Sequence, residues 1–121
     1  PSDPPAPFSN RRLTLEIQEV SQSGRPGAFK EALRLFGDSV RGGCEPNVSS
    51  YTALIEALSF DAGGSQWELS MKVLDDMRRR RVTPTSSIFG SMIASLESIA
   101  GERRWELAEG LKDEMEKFGL E

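Results

Sequence analysis

Along this chain apolar side chains recur every three or four positions, in six blocks parted by glycine, proline and short polar runs. Leu13, Ile17 and Val20 stand at i, i+4 and i+7, one face of a helix. Phe29, Ala32, Leu35 and Phe36 make a second such face, and Tyr51, Leu54, Ile55 and Leu58 a third. Trp67, Met71, Leu74 and Met77 follow, then Phe89, Met92, Ile93 and Leu96, then Trp105, Ala108, Leu111 and Met115. Gly24, Pro26, Gly42, Gly43, the turn from Asp61 to Ser65, and Gly101 punctuate the blocks. The spacing predicts helices over about 10–22, 27–42, 48–61, 66–81, 86–99 and 102–118. Asn10, Asn47, Ser65 and Thr85 stand where N-caps belong, and Gly119 where a helix stops. No stretch alternates with period two for long enough to make a strand.

The blocks also repeat. A shift of 38 residues places Pro46 on Pro84, Tyr51 on Phe89, Ile55 on Ile93, Trp67 on Trp105 and Met77 on Met115. The reverse shift places Tyr51 on Leu13, Ile55 on Ile17 and Trp67 on Phe29. The chain thus reads as three units, roughly 8–45, 46–83 and 84–121, each a helix A, a short turn and a helix B. One hairpin cannot bury both of its faces, so the three are expected to stack as an all-α solenoid of about six helices. Phe29, Trp67 and Trp105, at the start of each helix B, are expected to wedge between their own helix A and the neighbouring unit. The domain organisation expected is a proline-rich extended arm over 1–9, read first as a linker remnant and second as an arm laid along a partner with Phe8 as its anchor, and a repeat domain over 10–121.

These motifs resemble the pentatricopeptide repeat (PPR) family. The likeness rests on PNVSSYTALIEAL followed by WELSMKVLDDMRRRRVTP, and on its echo in TPTSSIFGSMIASL followed by WELAEGLKDEMEKFGLE. The resemblance implies a right-handed superhelix whose A helices line a binding face. It also implies that one helix A position, together with the last position of the unit, selects a base of single-stranded RNA. Carried onto this chain, the pairs are Thr14 with Asn47 and Thr52 with Thr85, and Gly90 stands alone. The family's base-sandwiching position, usually Val or Ile, holds Ser49 and Ser87, which offer no apolar surface for stacking. Asn47 and Thr85 have a second reading as N-caps, and that reading takes precedence.

Charge changes the picture further. The net charge is −4, and the third unit carries eight acidic against four basic residues, which argues against a nonspecific nucleic-acid footprint. Arg78, Arg79, Arg80 and Arg81 end a helix B, where cations complement the helix dipole; an anionic partner is the other use for them. Arg11 and Arg12 open a helix, where positive charge is unfavourable and an outside acidic contact would suit them. Glu109, Asp113, Glu114 and Glu116 read as a solvated face.

With no histidine and one cysteine, Cys44, the chain lacks the usual zinc and haem ligand sets, an internal disulfide and any Ser–His or Cys–His pair. No enzyme activity and no cofactor are therefore expected. No run is apolar enough to span a bilayer. A chain that starts at Pro1 reads as a trimmed one. The function expected is a non-catalytic scaffold or accessory subunit that docks on protein subunits of a plastid or mitochondrial assembly, such as a photosystem, respiratory complex or ribosome. The alternative is an organellar single-stranded RNA binder acting in RNA processing or translation, possibly part of a longer array.

Overall fold

The computed structural model describes residues 9–96, 99 and 101–119, and among them every regular element is a helix. The helices are α1 (Asn10–Gln22), α2 (Ala28–Arg41), α3 (Val48–Ser59), α4 (Trp67–Arg79), α5 (Ser86–Ser95) and α6 (Glu102–Lys117). Helices α1 and α2, and α3 and α4, pack as hairpins, while α5 and the last helix meet through Leu111 in a shared cluster and through Phe118 against Phe89. The A helices α1, α3 and α5 lie side by side in one row, α2 and α4 pack against α3, and α6 packs on α4. This is the stacked helical-repeat solenoid that the 38-residue period predicts. The expected arm over 1–9 lies outside the described residues except for Ser9.

Among the described residues the middle unit is the one with a neighbour on each side. In α3, Ser50, Tyr51, Ala53, Leu54, Ile55, Ala57, Leu58 and Ser59 are all buried. Ala53, Leu54, Ala57 and Leu58 join Leu13, Ile17 and Ala32 in one cluster. Tyr51 and Ile55 join Trp67, Leu74, Met77, Ile88, Phe89, Met92 and Leu111 in another. Each large side chain so buried contributes about 1.5–3 kcal/mol. Tyr51, fully buried, keeps its hydroxyl satisfied by donating to Asp76 Oδ2 at 2.5 Å. Burial first, and then the Asp76 carboxylate, push its phenol well above the ordinary range.

Several end residues differ from expectation. Ser9, not Asn10, caps α1: its side chain accepts from the Arg12 N–H at 3.2 Å. Asn10, one position inside, instead ties unit one to unit two. Its Nδ2 donates to the Glu45 carbonyl at 2.7 Å, and its Oδ1 accepts from Asn47 N at 3.1 Å and Ser50 Oγ at 2.8 Å. Ser65 does not cap α4; Gln66 occupies that place without a side-chain bond, and Ser65 Oγ is buried with no partner. The fifth helix ends at Ser95, ahead of the expected 99. Cys44 is buried at the unit junction, and burial pushes its thiol up.

The turn of unit two also serves unit one. The Asp61 carboxylate accepts from Gly27 N at 2.8 Å and Phe29 N at 3.0 Å, at the start of α2, and from Gly63 N at 2.9 Å in its own turn. It thereby satisfies amides that α2 cannot pair itself, since Gly27 at φ +82° has no side chain to cap with. A β-carbon at Gly63 would come 3.1 Å from the same carboxylate, which fits glycine there. The position in phase with Asp61 in unit three is Ile99, and α4 accordingly lacks a cap of this kind.

Partial burial pushes Asp61 up, but the amides of Gly27, Gly63, Phe29 and Ala28 outweigh it and hold the carboxyl below the usual carboxylate range. A depressed folded value stabilises the fold at pH above the unfolded range, and the gain is lost as pH falls through the folded value. Asp61→Ala is expected to cost about 1 kcal/mol at neutral pH. The difference from the parent should shrink as the medium is made acidic. Urea unfolding at a series of pH values checks it, and a gap that stays constant into acid would refute the capping role.

Candidate partner interface along the A-helix row

Repeat geometry brings the outward positions of α1, α3 and α5 into line, so the candidate residues can be followed unit by unit. At the α1–α3 junction Asn10, Arg11, Thr14, Leu15, Asn47 and Ser49 line an open cleft of about 350 Å³. Thr14 and Asn47, paired by the repeat pattern, therefore do meet in one cleft. Thr14 Oγ1 is buried there without a partner. Asn47 is occupied differently: its side chain accepts from Ser50 N at 3.1 Å, and the Ser50 hydroxyl accepts from Asn47 N at 3.1 Å, a reciprocal capping box. Thr52 donates its hydroxyl to the Val48 carbonyl at 2.6 Å, within its own helix. Thr85 sits in N-cap backbone geometry but makes no side-chain cap bond, contrary to the capping expected of it. Gly90 is exposed with open space where a β-carbon would be, and Ser49 and Ser87 are exposed beside this line.

The arginine run is largely spoken for. Arg78 pairs with Asp75 and reaches Glu114 at 3.7 Å. Arg79 lies 3.4 Å from Asp75 and 3.5 Å from Asp76, and Arg80 lies 3.1 Å from Asp76. These contacts fix three of the four guanidiniums to α4 and α6. Arg81 is exposed and left-handed at φ +60°, the place that Gly43 and Gly119 fill in the other units. Arg12 needs no outside acid, since it pairs with Glu16 at 2.8 Å. Arg11 remains exposed at the cleft. Glu114 is not part of a solvated face as expected: it is largely buried and pairs with Arg78 and Lys117.

Two apolar expectations fail, and both in unit three. Trp105 is 71% exposed and Ile93 52% exposed. Their counterparts Trp67 and Ile55, 4% and 0% exposed, lie in one buried cluster with Ile88 and Met92 of α5 and Leu111 of α6, the helices of the following unit. Among the described residues no helix stands in that place against α5 and α6, so identical residue types end in opposite environments.

The family model for the pentatricopeptide repeat domain matches residues 34–98, more than half of the chain. The chain belongs to the pentatricopeptide repeat family. No curated protein matches it. Membership accounts for the hairpin period and the stacked A helices. Among the described residues no helix of this PPR chain is long and apolar enough to cross a membrane. The two inter-unit devices, Asn10 and Asp61, escape the repeat pattern because each occurs once. The pairing of the arginine run was within reach of the sequence, because Asp75 and Asp76 precede Arg78, Arg79 and Arg80 by three or four residues.

Proposed function

We propose that this PPR chain is a non-catalytic scaffold or accessory subunit that docks on protein subunits of a larger plastid or mitochondrial assembly. The observation that carries the reading is the fate of the positive charge. Three arginines of the only long basic run are held by Asp75, Asp76 and Glu114, so that run is tied to carboxylates of its own chain and not open along its length to a phosphate backbone. Serines at the sandwich positions 49 and 87 point the same way. The exposed Leu15, Phe60, Ile93 and Trp105 supply apolar contact of the kind that protein partners use. Organellar residence is supported by the family, whose members commonly act there.

A second reading, single-stranded RNA binding, is favoured by one specific feature: the unpartnered Thr14 hydroxyl beside Arg11 and Asn47. One titration separates the two. The chain is mixed with single-stranded RNA oligonucleotides at low and at physiological salt. The scaffold reading expects no saturable binding at low salt, together with co-migration of the native protein in a stoichiometric complex. Saturable binding that weakens steeply with salt and is lost in Thr14→Ala would overturn it in favour of RNA.

A further inference from the structure

We propose that the cleft between α4 and α6 binds a carboxylate, at the place where unit one receives Asp61. The internal repeat supplies the template. At the start of α2 the Asp61 carboxylate accepts from Gly27 N and Phe29 N. A shift of 38 residues carries Asp61, Gly27 and Phe29 onto Ile99, Ser65 and Trp67. Ile99 offers no acceptor, and among the described residues the Ser65 and Trp67 amides make no hydrogen bond. These three residues line one open cleft of about 320 Å³, together with Lys72 and Arg103. The cleft lies between units two and three, both of them in place.

Amides at a helix start lack partners as a rule, and water can serve them. Here two side-chain donors share their position. Trp67 is 4% exposed, and its Nε1–H is buried with no acceptor; the Ser65 hydroxyl is buried without a partner as well. A buried donor left unpaired is a standing cost that an acceptor in the cleft relieves. The leading end of α4 also carries the positive pole of the helix. Lys72 is exposed and makes no ion pair among the described residues. Glu68, which also lines the cleft, does not compete, because it is exposed and pairs with Arg103 at 2.6 Å. Glu106 lies 3.8 Å from the same guanidinium. With Lys72 and Arg103 set against Glu68 and Glu106, the surroundings are close to neutral, which suits one negative charge better than the two of a phosphate. The ligand is therefore a planar carboxylate, as it is one unit earlier. The site stands whether or not the scaffold reading holds.

The test follows the Trp67 indole N–H and the Ser65 and Trp67 amides by heteronuclear NMR on the full chain, with Trp105→Phe to separate the two indole signals. The probes are a blocked peptide whose only charge is one aspartate, its twin with asparagine in that place, sodium acetate and inorganic phosphate. The aspartate peptide should move all three signals, the indole proton downfield, and bind at least about tenfold tighter than the asparagine twin. Ile99→Asp, which supplies the acceptor from within, should move the signals without any probe and abolish the response. Ile99 packs against the core, so Lys72→Glu, at an exposed position, repeats the test without touching that packing and should weaken the peptide by about tenfold. Acetate acting as strongly as the peptide makes the ligand a free acid, and a response to the peptide alone makes it an acidic side chain of a protein partner; either supports the site. Equal binding of the two peptides, tighter binding of phosphate than of carboxylate, or signals that stay still under every probe would overturn it.

Discussion

Leu58→Ala is expected to destabilise the protein by about 3 kcal/mol. Leu58 has no exposed surface and closes the cluster in which α3 meets Leu13, Ile17 and Ala32. Its carbonyl also receives the Gln66 N–H at 2.7 Å, which anchors the turn into α4. Truncation removes transfer energy and leaves a cavity between helices that are tied elsewhere, by Asn10 and by Asp61, so the site can collapse only in part. A domain of this size is stable by only about 6–15 kcal/mol, so the loss is a large fraction of the whole. Urea unfolding followed by far-ultraviolet circular dichroism reads it as a lower midpoint with an unchanged slope. A midpoint shift corresponding to less than about 1 kcal/mol would mean that the cluster is not the core of the stack.

The second large effect is a contrast between two identical residues. Trp67→Ala is expected to cost about 3–5 kcal/mol, because the indole is buried in the cluster that joins the second unit to the third. Trp105→Ala, at the matching place, is expected to stay within about 0.5 kcal/mol of the parent, because its ring faces open space. The same unfolding measurement on both variants checks the pair. Equal losses would show that Trp105 is covered in solution, and would contradict the environment described for it.

That contrast also marks where the sequence stops being readable. The helices were legible because apolar spacing at three and four residues has one structural solution, and the stacking because a hairpin needs a neighbour. The exposure of Trp105 and Ile93 was not legible, since burial is decided by what lies across the interface and not by the residue or its phase. Asp61 was equally opaque: an aspartate ahead of two glycines reads as a turn, and nothing local says that its carboxylate belongs to a helix more than thirty residues earlier. Asn10 and Ser9 are adjacent acceptors, and only backbone geometry selects which one caps. For the interface, the meeting of Thr14 with Asn47 followed from the repeat. The silence of Thr85 as a cap did not, because a side chain in the right place need not turn toward the amides.

The carboxylate of Asp61 has a consequence for how such an array comes to be ordered. Because the second hairpin completes the first, a ribosome that has delivered the chain only as far as residue 45 has delivered a helix whose leading amides still lack their acceptor. Cooperativity is thereby written into the connection and not only into the apolar contact. Trimming experiments that stop short of the second turn should yield a fraying first hairpin, even though every residue of it is present.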